Sequence, residues 1–561
     1  MLCALPVSAA FSAEDKPLTP LADVKMSEAS VRDQVKIMRS QRYSEMPYLD
    51  KKLIDSMIRP EKVREKLAFA AGGSKGLGDI VDRAISVYTP ARASRERISL
   101  SRRRILAAVR NLFPEVNYEF QDKKGVLGGD KYNSNSWRFN TRLPIFHGGV
   151  LWNTLLQEKL GLESAEKEYE AVLEDLVKDV AEAYFEYHRA LLAEERKAAA
   201  VEELRPQAEI SGTKYKEELI SEIEHLNVQS LFSQLRFEHE TAKQEMELSK
   251  LELQRFLDLD GEADLDITAL YDVEEIILKG NELEPEEQSP DAVPGSPAVD
   301  EAVFDQDVES FLGQAGQTVP ALDSLVDMAY MNRARLRVEA AKLQAARLGE
   351  RIRWGNLLPQ VDVILEFGKL GEAFDIDNVD PGLRKEFKFG LEMNWNFAGS
   401  KVGYTYDNDE RAPTISQFLS QDGSRSRKNL ISVGVLDGLG DWTAVKEAEI
   451  AKLDQIVALE KAEKEVVRDV KQAYYDYQKA RIQVKSAVQR ANYRRRQAQF
   501  NKHRMEKNEI QISEYLTSEI DYVQESLTLH KALADYFVAR AKINHAIGRR
   551  DFLPVEERNA N

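Results

Sequence analysis

Cysteine, paired histidines and positive charge are all scarce in this chain, and each scarcity excludes a class of protein. Cys3 is the single cysteine, so neither a disulfide framework nor a thiolate zinc site can form. The seven histidines are scattered, and none belongs to a His-Glu-x-x-His metal motif. A net charge of −17 argues against a nucleic-acid partner. We therefore expect no catalytic residues, no metal, no cofactor and no nucleic acid.

Long apolar runs are missing as well. No stretch approaches 18 consecutive apolar residues, which excludes a transmembrane helix. Residues 1–13 read as the end of a secretory signal, because an apolar run leads to small residues before a cut after Ala9 or Ala10. The basic segment that opens such signals is missing, which predicts a translation start further upstream. An ordinary N-terminal segment is the alternative.

One glycine-rich stretch, FAAGGSKGLGDIVDRAI, has the spacing of a dinucleotide-binding loop. Gly72, Gly76 and Gly78 form G-x-x-x-G-x-G. Tyr475 and Lys479 supply the Tyr-x-x-x-Lys pair that short-chain dehydrogenases require. Such a fold needs alternating strands and helices after the loop, whereas this sequence predicts a long polar helix there. We interpret the glycines as a hinge before a helix, which disfavours the enzyme hypothesis.

The chain contains two copies of one structural unit. Residues 77–116 align without a gap on residues 322–361, since 322 − 77 and 361 − 116 both equal 245. LVKDVAEAYFEYHRA at 176–190 aligns on VVRDVKQAYYDYQKA at 466–480 with an offset of 466 − 176 = 290. The second copy therefore carries 290 − 245 = 45 additional residues between its first strand and its long helix.

Each copy predicts two strands that have one apolar and one polar face. Apolar and polar residues alternate within 114–146 and 359–398, after a proline that ends the preceding helix. Such alternation is a weak signature of a transmembrane β-strand, and a soluble half-buried hairpin is the alternative. In the last strand, the residues expected to face lipid are Phe387, Phe389, Leu391, Met393 and Trp395.

Four strands per chain are too few for a closed barrel, and open strand edges cannot lie in hydrocarbon. Several chains must therefore contribute if these are membrane strands, and three chains would give twelve strands. Very long helices follow the strands, at 150–258 and 441–548, with a narrow apolar stripe typical of helices that pack side by side. The expected fold class is mainly α with membrane β.

These features, in this order and twice, resemble the TolC-like outer membrane efflux protein family, whose members are outer membrane factors. The resemblance covers about residues 77–260 and 322–550, and LPIFHGG at 143–149 and the AYFEY and AYYDY motifs carry it. It implies a homotrimer in which a twelve-stranded β-barrel in outer-membrane lipid stands on an α-helical periplasmic tunnel.

The resemblance also implies an exit duct for efflux or type I secretion. Such a duct docks with a periplasmic adaptor (membrane fusion protein) and an inner-membrane transporter, which chooses the cargo. A coiled-coil scaffold of the envelope, outside the membrane, is the alternative function. It explains the helices but not the alternation from Phe387 to Phe397.

Carried over to this chain, the periplasmic tip falls at two helix–helix turns. The candidate docking residues are Glu218, Leu219, Ser221, Glu224, Leu226, Asn508, Ile510, Ser513, Glu514 and Leu516. The family usually has glycine where this chain has Glu218 and Asn508, and glutamate tolerates left-handed backbone poorly. Glu224 and Glu514 occupy matching places, since 514 − 224 = 290, and are expected to line a negatively charged mouth.

The expected organisation has six parts. They are a signal remnant at 1–13, a periplasmic arm at 14–76, repeat one at 77–260, an acidic linker at 261–320, repeat two at 321–550 and a tail at 551–561. Repeat two contains an insertion at 400–429, and three roles for it are open: it lengthens a strand, caps the barrel or wraps its base.

Overall fold

The computed structural model describes most of both repeats. It describes residues 69, 74–127, 130–259, 265–267, 319–374, 383–411, 415–416 and 424–549. The predictions for the signal remnant at 1–13, the tail at 551–561 and most of the arm at 14–76 and of the linker at 261–320 lie outside these residues.

Fifteen helices and strands are described. In chain order they are α1 (Leu77–Val87), α2 (Thr89–Arg110), β1 (Glu115–Leu127), β2 (Asp130–His147), α3 (Val150–Lys216), α4 (Glu222–Leu257), α5 (Leu322–Asn332), α6 (Ala334–Gly355), β3 (Gln360–Phe374), β4 (Arg384–Phe397), β5 (Ser400–Arg411), β6 (Ile415–Ser416), β7 (Ser424–Gly434), α7 (Leu439–Glu506) and α8 (Ile512–Ala546).

The bounds of these elements reproduce both offsets of the repeat. Helices α1 and α2 recur as α5 and α6, and one offset relates all four of their ends, because 322 − 77, 332 − 87, 334 − 89 and 355 − 110 all equal 245. The tips recur at the larger offset, because 506 − 216 and 512 − 222 both equal 290. The additional residues therefore lie between these two sets of helices.

Gly76 and Gly78, two of the three candidate nucleotide-binding glycines, mark the start of a helix, and Gly72 lies outside the described residues. Gly76 is the N-cap of α1, and its amide donates to Asp79 Oδ2 at 3.2 Å. Gly78 lies in the first turn of α1, and the segment that follows is α1 and α2 rather than a strand–helix unit. This arrangement supports the hinge interpretation.

Two long helical hairpins are the largest elements of the described fold. Helix α3 has 67 residues and α7 has 68, so each is about 100 Å long. Helix α3 packs against α4, α8, α6 and α2, while α7 packs against α8 and α6. The narrow stripe provides the core: Tyr184 on α3 and Leu533 on α8 are fully buried, and alanines dominate the α7–α8 contact. Small residues let α7 and α8 approach closely where these side chains pack.

A single sheet lies at the end of the long helices opposite their hairpin turns. Its antiparallel order is β1-β2-β3-β4-β5-β7, and β6 pairs with β3 in parallel. The prediction of two strands per repeat is confirmed for repeat one and is wrong for repeat two, where residues 400–434, which include the insertion, add β5, β6 and β7. The insertion does alternate, at Val402, Tyr404 and Tyr406, but its apolar run is too short to stand out in the sequence.

Candidate functional site

The sheet has one apolar face, and the residues predicted to contact lipid lie on it. Antiparallel partners share a face, so Phe387 and Leu391 on β4 lie beside Phe367 and Val363 on β3. The same face continues to Tyr118 on β1. Phe387 is 46% exposed and Tyr118 is 59% exposed, although side chains of this size are usually buried. A contiguous exposed apolar surface of this kind marks contact with lipid or with another protein.

The opposite face of the sheet carries ion pairs across strands. Arg142 on β2 donates to Asp362 Oδ2 on β3, at 3.1 Å through Nε and 2.9 Å through Nη2, and also to Glu392 on β4. His147 Nε2 lies 2.7 Å from Asp362 Oδ1. Asp362 is buried by these partners. Sequence reasoning missed this cluster, because alternation predicts polar positions without showing which of them are neighbours on different strands.

A second group of charges continues this polar face towards β5. Lys388 on β4 lies 3.5 Å from Glu366 on β3 and 3.7 Å from Asp407 on β5. Arg138 on β2 lies 3.6 Å from Glu386 on β4. Charges of both signs therefore cover one face of the sheet from β2 to β5, which suits contact with water.

The connection from the sheet to the first long helix requires glycine. Gly148 and Gly149 have φ values of 59° and 77°, a left-handed conformation that L side chains rarely adopt. A Cβ atom at Gly148 would lie 2.2 Å from the carbonyl oxygen of Gly355 at the end of α6. The glycines of LPIFHGG thus fix the close contact between the strand–helix turn and α6.

The two predicted tip turns have the same geometry. Glu218 and Asn508 both have positive φ values, 58° and 55°. After α3, the amide of Leu219 donates to Lys214 O at 2.8 Å and that of Glu218 to Tyr215 O at 3.0 Å. After α7, Glu509 and Asn508 make the equivalent bonds to Arg504 and Met505. Each helix therefore ends in a Schellman motif, whose left-handed position is usually glycine.

Glycine at the first left-handed position should stabilise the tip. We expect Glu218→Gly to raise the free energy of unfolding by about 1 kcal/mol, since it removes the clash between Cβ and the backbone. Asn508→Gly should gain less, because asparagine tolerates this conformation. Thermal unfolding measures both variants. Glu218→Ala keeps the strained backbone, so an equal gain from alanine would contradict this explanation.

The predicted docking residues divide into two groups by exposure. Glu218, Leu219, Ser221, Leu226, Asn508 and Glu514 are exposed, and Ile510 is partly exposed. Glu224, Ser513 and Leu516 are buried within the chain, at 8%, 5% and 0% exposure. The buried residues cannot contact a partner directly, whereas the exposed ones remain candidates.

Glu224 joins the two tips of one chain. Its Oε1 accepts from the Ser513 amide at 3.0 Å, and its Oε2 accepts from Ser513 Oγ at 2.8 Å. Ser513 lies in the first turn of α8, where backbone amides have no acceptor within the helix. The carboxylate supplies an acceptor there, and its negative charge is attracted to the positive end of the helix dipole. Lys214 Nζ also reaches Asn508 Oδ1 at 3.4 Å. The expectation that Glu224 lines an aqueous mouth is therefore wrong for this chain, and only Glu514 remains a candidate for that role.

A second buried carboxyl group lies in α8 near this contact. Burial raises the pKa of Glu519, the neighbouring charge of Glu203 raises it further, and Arg196 and Lys502 oppose the shift. Burial likewise raises the pKa of the Tyr515 hydroxyl. These groups lie beside the apolar tip core that includes Leu204 and Leu516. The tip is therefore a packed structure and not a loose loop.

Two further features are absent from the part of the chain that the structure describes. There, no helix combines the length and the apolarity needed to cross a membrane. In the same residues, no group of three His, Cys, Asp or Glu side chains is placed to hold a metal ion.

The sequence matches the family pattern described as "Outer membrane efflux protein" over residues 91–257 and 325–549. These segments contain the strands, both long hairpins and both tips. No curated protein matches the sequence.

Solved structures share the fold. The Campylobacter jejuni CmeC outer membrane channel superposes with a TM-score of 0.61 at 13% identity, covering 84% of this chain and 85% of CmeC. The open state of the Neisseria gonorrhoeae MtrE outer membrane channel gives 0.60 at 13% identity, covering 85% and 90%. The Vibrio cholerae outer membrane protein VceC gives 0.59 at 12% identity, covering 84% and 96%.

Proposed function

Since the chain belongs to the outer membrane efflux protein family, we propose that three copies of it form one exit duct through the outer membrane and periplasm. The protein is an outer membrane efflux channel, and its family is one of channels and not of enzymes. The duct passes substrates onward from an inner-membrane transporter. The envelope-scaffold alternative is not favoured, because it leaves the exposed apolar face of the sheet without a function.

The structure of the sheet supports the proposal that the protein is a trimer. One face is apolar and exposed and the other is charged, as expected of a barrel wall between lipid and water. The sheet of one chain ends in β1 on one side and β7 on the other, and neither edge can stay unpaired in hydrocarbon. Neighbouring copies would pair these edges and close the barrel.

The length of the helical hairpins supports the proposal of a periplasmic tunnel. Helices of about 100 Å extend from the sheet to the tips, which is far beyond the membrane. The exposed tip residues, Leu219 and Leu226 in particular, offer apolar side chains to an adaptor. We therefore place the adaptor and transporter at this end.

Mass measurement in mild detergent tests the trimer, together with fractionation of host membranes. We expect a particle of three chains that stays in outer membranes after a carbonate wash. A monodisperse monomer that retains its β signal, or release by carbonate, would overturn the duct and favour the scaffold.

Charge at the inner mouth gives a prediction on ion selectivity. Glu514 is exposed in the first turn of α8, so three copies would surround the axis with negative charge. Glu514→Gln should reduce cation preference and weaken block by multivalent cations in a planar bilayer. Glu224→Gln is the comparison from the other repeat. It should leave the cation preference unchanged, because Glu224 is buried against Ser513, even where the weakened tip contact adds leak current. Equal effects of the two substitutions would contradict this assignment.

A further inference from the structure

We propose that β5 and β7 are wall strands of the barrel, so that three copies close eighteen strands instead of twelve. The proposal rests on the trimeric duct proposed above. The expectation of twelve strands assumed four strands per chain, whereas the described sheet of one chain has six long strands. The partner that completes each sheet is a second copy of this chain, whose β1 pairs with β7.

The inserted strands continue both faces of the sheet. On the apolar side, Val402 and Tyr404 on β5 pair with Trp395 and Met393 on β4. On the polar side, Asp407 on β5 approaches Lys388 on β4 and extends the row of charges. Over residues 402–406 and 431–433 the hairpin keeps the two faces separate, as a membrane strand does.

The apolar band crosses the sheet diagonally, as tilted barrel strands require. Its runs are 116–120, 137–146, 361–367, 387–397, 402–406 and 431–433. Each run ends, on the side away from the long helices, at a residue that the strand pairings place level with one residue of β4. That residue of β4 is 385 for β1 and β2, 387 for β3 and β4, 391 for β5 and 393 for β7.

The average size of this shift is close to the one that barrel geometry requires. The band moves from position 385 to position 393 over five strand steps, so each step shifts it by slightly more than one and a half positions. Strands tilted by about 35–45° and spaced about 4.8 Å apart require about 1–1.5 residues per strand. Strands β5 and β7 continue the displacement in the same direction, and the steps from β4 to β5 and from β5 to β7 account for six of its eight positions. The charged pair Arg425–Glu410, which shares the outward face, is then raised towards the headgroups by the tilt.

The insertion point is a turn that both repeats share. Ala398 and Gly399 have φ values of 48° and 79°, close to those of Gly148 and Gly149. In repeat one this turn leads directly into α3, whereas in repeat two it leads into β5. The chain then returns to the same place, since the Gly438 amide donates to Gly399 O at 2.9 Å. The hairpin is therefore a discrete addition to an otherwise standard repeat.

The loop between β5 and β7 is also tied to the sheet. Pairing of β4 with β3 stops at Leu370, and β6 pairs with the remaining end of β3 at Ala373 and Phe374. At the opposite end, Asn396 Nδ2 donates to Gly438 O at 2.8 Å and to Asp441 Oδ2 at 2.9 Å. Contacts at both ends hold the hairpin in line with β4.

The dimensions of the protein accommodate six strands. Four helices per chain, α2, α3, α6 and α7, connect directly to the sheet. At about 8–10 Å each they span about 32–40 Å of circumference. Six strands at about 4.8 Å and about 40° tilt span about 38 Å, against about 25 Å for four. The corresponding backbone diameters are about 36 Å for eighteen strands and about 24 Å for twelve.

The free edges of β1 and β7 complement each other. Placing Ile431 beside Tyr118 aligns the apolar faces. In an antiparallel pair the numbers of opposite residues have a constant sum, here 431 + 118 = 549, so the same register puts Val433 beside Val116. It also puts Arg427 beside Asp122, a pair of opposite charge, because 427 + 122 = 549. The residue opposite Asn117 is then Ser432.

Disulfide formation between chains tests this pairing in the membrane-inserted full-length protein with Cys3→Ser. Asn117→Cys on β1 is combined with cysteine at Leu430, Ser432 or Gly434 on β7, and in parallel with cysteine at Glu392, Asn394 or Asn396 on β4. We expect chain-to-chain disulfides with β7 and none with β4. The three β7 positions cover the expected register and its displacement by one pleat in either direction.

Each outcome decides one question. Disulfides with β4, or a trimer with disulfides to neither strand, would overturn the eighteen-stranded barrel and leave the duct intact. A monomer without disulfides would overturn the proposed function itself.

As a second test, a variant that lacks 400–437 and joins Gly399 to Gly438 should remain trimeric. Electron cryomicroscopy should show its barrel diameter reduced by about one third, and an unchanged diameter would refute the proposal.

Discussion

Arginine at Leu391 should lower the free energy of unfolding from the bilayer by about 2–4 kcal/mol, while arginine at Asn394 should lower it by at most about 1 kcal/mol. Leu391 lies at the centre of the apolar run on β4, between Val363 and Tyr406 on the neighbouring strands. Its guanidinium would have to enter hydrocarbon near the midplane. Asn394 belongs to the opposite face, where an arginine meets water and other polar side chains.

Urea titration of the protein folded into vesicles measures both costs. The two positions are close together on one strand, so differences in depth are small and the face decides the result. Equal tolerance at both positions would mean that the inward and outward faces have been assigned wrongly. Arg427→Leu on β7 is a further control. It should change stability little if the tilt places Arg427 near the headgroups.

Alternation predicted the strands of the sheet wherever the apolar run was long. The run from Phe387 to Phe397 has six apolar positions and was found, whereas the three on β5 and the two on β7 were not. The polar face followed the same rule: its positions could be predicted, but the contact of Arg142 with Asp362 joins residues 220 apart in the chain. Register between strands determines such contacts, and alternation alone does not reveal register.

Repeat symmetry predicted the tips well in backbone and poorly in side-chain roles. The two Schellman motifs are equivalent, as the offset between the repeats required. Glu224 and Glu514 nevertheless differ, because the two hairpins pack against each other and each provides a different surface to the contact. Glu224 faces α8, whereas Glu514 faces away from the chain. A duplicated sequence fixes the local geometry, and the packing of unlike neighbours then separates the roles.

Loss of the Glu224 carboxylate should weaken the contact between the tips more than any other single substitution there. Glu224→Leu removes two charge-assisted hydrogen bonds and leaves the Ser513 amide and hydroxyl without these acceptors at a helix N-terminus. Bonds to a charged group contribute about 1.5–3 kcal/mol each, so the loss of two should make local opening at Ser513 easier by about 3–6 kcal/mol. Glu224→Gln retains one acceptor oxygen and should lose about half as much.

Hydrogen exchange of the first-turn amides of α8 reports this opening directly. Glu514→Leu is the matched control from the equivalent position of repeat two. It should change exchange at Ser513 by less than about 0.5 kcal/mol, because its side chain is exposed. If Glu224→Leu separates the hairpins, the trimer should also leak more current in a bilayer while keeping its assembly. Faster exchange without added leak would show that this contact stabilises the tip but does not hold the inner end of the duct closed.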